Sequence, residues 1–251
     1  MKITFLGTGS AYGTPYCGND WQKGVDKNNI KNNRLRYSLL LEDNNNQLLI
    51  DCSPDFRQQS ITHNLNNFSD IFYTHWHPDH TFGTWELGKY AELYKKHLNL
   101  WASKKTLKFL KDKFDYFVSN KNTFTLNEIK PFKNYKIANM DIIPLRFMHK
   151  NIYSYGLKYK NIVISGDARY IPKVNYEYLK NLDLWIMECN NIEYKDNGGH
   201  TYLEQALERI KQFKPQKTIL THFSSHWDYE TMSKKVPENV ILAWDGMEIN
   251  L

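Results

Sequence analysis

Cysteine is scarce in this chain: Cys17, Cys52 and Cys189 are all there is. Three scattered thiols exclude a disulfide framework and a thiolate-only metal site, so they read as reduced side chains. No window approaches the roughly 20 consecutive apolar residues of a membrane span, and Met-Lys-Ile-Thr-Phe-Leu-Gly reaches glycine too early for a signal peptide. No membrane partner is expected, and the cytoplasm is the expected compartment. Also missing is an Arg-rich stripe. A formal charge of +6 favours anionic ligands, but Lys is scattered (Lys104, Lys105, Lys108, Lys111 and Lys113; Lys158 and Lys160; Lys234 and Lys235), and the first group reads as a solvated helix face. A nucleic-acid partner is therefore not indicated. Repeats, linkers and low-complexity stretches are absent too. With 251 residues and 41% hydrophobic content, a folded protein with one large α/β core is expected, a single domain over residues 1–251.

What is present is histidine at fixed offsets. His75, His77, Asp79 and His80 lie within six residues, directly after an apolar run that reads as a strand. Imidazole nitrogens and a carboxylate form the ligand set of zinc, manganese or iron(II), and a strand entering a turn can aim alternate side chains at one point. Short apolar runs predict strands over Lys2 to Leu6, Tyr37 to Glu42, Gln47 to Asp51, Asp70 to Thr74, Met140 to Arg146, Ser154 to Tyr159, Asn161 to Ser165, Asp183 to Glu188, Thr218 to Thr221, Val240 to Ala243 and Met247 to Ile249. Helices are expected over Asp55 to His63, Thr84 to Lys96, Lys104 to Phe117, Thr201 to Phe213 and Tyr229 to Lys235; Ser119 to Lys136 reads as an irregular excursion. Strands mixed with helices in both halves suggest two sheets packed face to face with helices outside.

Four ligands at one turn cannot close two coordination spheres, so further ligands are required at other strand ends. His149, Asp167 and His222 each follow an apolar run, where side chains leave the core and can converge in a cleft.

The order His-X-His-X-Asp-His, a lone His, Ser-Gly-Asp and Thr-His resembles the metallo-β-lactamase superfamily over nearly the whole chain. The resemblance implies a four-layer αββα sandwich with two divalent metal ions, zinc first, at its edge. His75, His77 and His149 would hold one metal and Asp79, His80 and His222 the other. Asp167 would bridge them, with a hydroxide between the metals as nucleophile. An Asp at the bridging position resembles the phosphodiesterase and thioester-hydrolase branches; classical lactamases usually have Cys there.

Gly198-Gly199-His200-Thr201 and Trp244-Asp245-Gly246-Met247-Glu248-Ile249 resemble the phosphoribosyl 1,2-cyclic phosphate phosphodiesterases, a branch close to ribonuclease Z. That resemblance implies a small cyclic or nucleotide-like phosphate ester as substrate, with His200 as general acid supported by Asp79. Imidazole titrates near neutral pH and can protonate an alkoxide; alternatively Thr201, with Glu204 three residues on, reads as a helix N-cap. Arg34 and Arg36 could bind a phosphate or pair with structural carboxylates. Asp51 and Asp55 are expected to support metal ligands, Asp55 alternatively serving as a helix N-terminal charge. The Gly7-Thr8-Gly9-Ser10 loop could turn amides toward an anion or simply be a tight turn. The extra zinc site of the branch is not expected, because Cys17 and His226 lack partners. A ribonuclease Z-like RNA processing enzyme and a non-catalytic metal-binding protein are the alternatives. Tyr90, Tyr94 and Trp101 would suit either a homodimer interface or ordinary core packing.

Overall fold

The computed structural model describes residues 1–194 and 198–251. Its first half supplies β1 (Lys2–Gly7), β2 (Ser38–Asp43), β3 (Asn46–Ile50), β4 (Asp70–Phe72), β5 (Leu98–Ala102) and β6 (Phe124–Glu128). Then follow β7 (Tyr135–Ile137), β8 (Met140–His149), β9 (Ile152–Tyr159), β10 (Ile162–Ile164), β11 (Leu184–Glu188), β12 (Lys217–Thr221) and β13 (Val240–Leu242), before β14 (Glu248–Asn250) ends the chain. These make two seven-stranded sheets, ordered β14-β1-β2-β3-β4-β5-β6 and β13-β12-β11-β10-β9-β8-β7.

Each sheet is antiparallel on one side and parallel on the other, the direction changing at β3 in the first and at β10 in the second. Parallel neighbours need crossovers. They are provided by α1 (Phe56–His63), α2 (Pro78–Thr81), α3 (Thr84–Tyr94) and α4 (Lys104–Val118) in the first half, and in the second by a 3-10 helix (Lys173–Leu179) between β10 and β11, α5 (Leu203–Phe213) and α6 (Tyr229–Ser233).

Period-two alternation makes the layers. Leu39 and Leu41 of β2 enter the core between the sheets with Leu157, Ile164, Ile186 and Ile219, while Leu40 faces outward. On that outer face Leu40, Leu49 and Ile71 pack against Leu87 of α3 and Leu110 of α4; across the molecule Val163, Trp185 and Leu220 pack against Ala206 and Ile210 of α5. The result is the αββα sandwich.

Three strands, β5, β6 and β7, lie outside the predicted set. β6 buries only Phe124 fully and carries three polar residues, so its strand form comes from backbone pairing with β5 rather than from its own pattern. The Thr201 cap is not formed either: α5 begins after Tyr202, and Thr201 is turned to other partners. Tyr90 is buried, stacked on Phe68 at 4.3 Å, and the half-buried Trp101 donates from Nε1 to Asp70, so these two are packing residues and only Tyr94 is exposed.

Candidate metal centre

The parallel halves of both sheets point their carboxyl ends to one edge, and every predicted ligand sits there. Asp51 follows β3 in a left-handed conformation, φ 58°. Its carboxylate accepts from the Thr74 amide and hydroxyl and takes His80 Nδ1 at 2.6 Å. Because the Thr74 hydroxyl donates to Asp51, it accepts from His75 Nδ1 at 3.0 Å. His149, the last residue of β8, donates from Nδ1 to the Gly199 carbonyl at 2.7 Å. In all three rings the Nδ1 contact is taken by a neighbouring oxygen, and Nε2 points inward.

Inward is Asp167. One of its oxygens lies 3.9, 3.5 and 3.8 Å from Nε2 of His75, His80 and His149, and the other lies 3.5 Å from Nε2 of His222. Around it the donor atoms of His75, His77 and His149 converge, as do those of Asp79, His80 and His222. His75, His80, His222 and Asp167 are each no more than 2% exposed. Nε2 of His75, His80 and His222 is buried without any hydrogen-bond partner. An orphaned buried nitrogen costs about 1–3 kcal/mol, so three aimed at one carboxylate fit a cation site, and the donor chemistry suits zinc, manganese or iron(II).

The electrostatics agree. Burial alone would raise Asp167, but the imidazoles of His222, His80 and His200 outweigh it and hold the carboxyl well below its usual range. Burial, then His80, pushes His75 well down, and burial with His149 brings His77 down to about 4. These two imidazoles are therefore neutral at neutral pH, the form in which they could ligate a metal.

His200 lies on the segment before α5, its ring 4.5 Å from His149 and stacked at 5.2 Å on His222. Its buried Nδ1 faces Asp167 and Glu188, each at 3.6 Å. Burial opposes protonation, but those two carboxylates raise His200 to about 9. Asp79, expected to support His200, faces His80 at 3.3 Å and His222 at 3.7 Å and adds to the field that raises His200, while Glu188 is a further carboxylate beside that ring. Sequence reading passed over Glu188, whose one signal is a charge ending the otherwise apolar strand β11. Tyr37 was also missed: its ring lies 5.7 and 5.8 Å from those of His80 and His222.

Other candidates sit apart. Arg36 and Asp55 satisfy each other at 2.8 Å, so Asp55 supports no ligand and Arg36 is not free for phosphate. Arg34 is buried, donating to Asn32 and covering Phe223. Amides of Thr8, Gly9 and Ser10 bond to Asp245, Leu35 and Phe223, which makes the glycine loop a turn rather than an anion cradle.

Residues 46–223 match a family described as the beta-lactamase superfamily domain. An octanoyltransferase of Porphyromonas gingivalis is 29% identical over 99% of this chain, which spans 51% of that longer protein. Ribonuclease Z of Archaeoglobus fulgidus is 22% identical, covering 100% of this chain and 98% of its own. Among solved structures, a diphosphatase of the PhnP family superposes with a TM-score of 0.90 at 24% identity, covering 99% of this chain and 96% of the other. At that identity the superposition shows a shared fold.

Proposed function

Since this chain belongs to the beta-lactamase superfamily, we propose that it is a two-metal hydrolase acting on a small cyclic or nucleotide-like phosphate ester, with His200 as proton donor. One observation carries the reading: Asp167 stands between two three-residue donor sets, and His200 lies against the same carboxylate. His75, His77 and His149 would hold one divalent cation, zinc first, and Asp79, His80 and His222 the other. Such a pair supplies an acidified water and offsets charge on a phosphoryl group.

This chain's own residues position and move the proton. Asp167 and Glu188 face Nδ1 of His200 at 3.6 Å each, which leaves Nε2 to protonate the leaving oxygen. Without that transfer the departing alkoxide would carry full charge. Asp rather than Cys at position 167 favours phosphate esters over lactams. The similarities to a diphosphatase and a ribonuclease, both named for cleaving phosphate linkages, support the same class.

Purified protein reconstituted with zinc or manganese should hydrolyse bis(p-nitrophenyl) phosphate or members of a cyclic phosphate panel, and should leave β-lactams intact. Inactivity toward every phosphodiester in every metal form would overturn the proposal. Cleavage of a precursor tRNA alone would replace it with the ribonuclease Z reading.

A further inference from the structure

We propose that Arg209, on the second turn of α5 and outside the metal centre, is a positioning residue that sets the spacing between Asp167 and His200. Two segments must be held together for those residues to meet: Asp167-Ala168-Arg169 after β10, and Gly199-His200-Thr201 before α5. Both are gripped twice. On the amide side, Glu188 Oε1 accepts from the backbone N–H of Ala168 at 3.1 Å and of Thr201 at 2.7 Å. From α5, Arg209 donates from Nη1 to the Thr201 hydroxyl at 2.6 Å and to the Ala168 carbonyl at 3.3 Å, and from Nη2 to the Arg169 carbonyl at 2.7 Å. The Thr201 hydroxyl closes the arrangement by donating to the Ala168 carbonyl at 2.5 Å.

Arg209 is 7% exposed, and among the described residues no carboxylate lies within ion-pair distance of it. Burying a guanidinium is costly unless its protons are used. Here they are spent on the Ala168 and Arg169 carbonyls, in the segment that follows Asp167, and on the Thr201 hydroxyl, next to His200. The planar fork reaches acceptors on both segments at once, which the single nitrogen of a lysine cannot do. A grip on the immediate neighbours of two reacting groups fixes their separation without touching either, and misplacement by about 1 Å costs on the order of 100-fold in rate.

The inference rests on the reading that Asp167 and His200 share one reacting centre. Its test therefore has an arm that needs no substrate. In metal-free protein, Arg209→Lys and Thr201→Val should speed hydrogen exchange at the Ala168 and Thr201 amides while leaving the amides of β11 and β12 protected. In the metal-loaded enzyme, Arg209→Lys should lower kcat by about 10–100-fold with KM within about twofold and both metals retained. Arg209→Ala should lose as much and regain part of it when guanidinium is added, whereas Arg209→Lys should not respond. Unchanged exchange at both amides, or a kcat loss that only follows loss of metal, overturns the proposal. If wild-type protein hydrolyses no phosphodiester, the functional reading falls and the exchange arm still decides the clamp.

Discussion

His149 Nδ1 donates to the carbonyl of Gly199 at 2.7 Å, tying a candidate metal ligand at the end of β8 to the segment that carries His200. A Cβ at position 199 would lie 2.7 Å from His149 Cε1, so only glycine allows this approach. Gly199→Ala should push the imidazole off its axis and weaken binding at the His75, His77 and His149 position by roughly 10–100-fold. Titration with zinc, followed by calorimetry, reads this directly; an unchanged affinity would show that the contact does not orient His149.

Asp51 performs the same service for His80. Its left-handed backbone is one that Asn adopts readily, so Asp51→Asn isolates the loss of charge from any change of chain path. Affinity for the second metal should fall by roughly 10–100-fold, and that for the first by less, because Asp51 reaches His75 only through the Thr74 hydroxyl. Metal-to-protein stoichiometry after dialysis distinguishes the two sites.

His200→Gln keeps a polar side chain but cannot supply an acidic proton. A kcat decrease of about 100- to 10,000-fold with two metals still bound is expected. A substrate whose leaving group is already a stable anion, such as p-nitrophenolate, should lose much less. Equal losses on both kinds of leaving group would remove the proton-donor role.

Asp228 caps α6 and ties the N-terminal loop to it, accepting from Thr231 N, Asp26 N and Asn32 Nδ2. Burial opposes ionisation, but those donors outweigh it and bring the carboxyl down to about 2. A carboxylate lowered on folding stabilises the protein fully above its unfolded pKa near 4, and that stabilisation is lost as pH falls through about 2. Asp228→Asn should therefore cost on the order of 1 kcal/mol at neutral pH, a difference that shrinks in denaturant titrations between pH 5 and pH 2.

The convergence of the candidate ligands was legible because each is a polar residue placed close after an apolar run, and strand ends in such sheets converge. Two sheets with helices outside were legible in the mix of short apolar runs and helical spacing in both halves, whereas the run Leu39, Leu40 and Leu41 does not declare which face of β2 meets which layer. β6 was not, because an edge strand needs only backbone pairing and leaves little trace in side-chain pattern. Nor were the fates of Arg36 and Asp55, which lie 19 residues apart in the chain and meet only through the fold.

By itself, then, the sequence determined the chemistry on offer: which imidazoles and carboxylates exist, and that strand ends would carry them. Tertiary structure alone decided their partners. Glu188 stands beside His200, and Arg209 reaches both segments of the site, because those contacts span 8 to 41 positions and close only when β10, β11 and α5 pack together. Spacing along a chain sets local direction; which charge ends up against which ring is set by packing between elements.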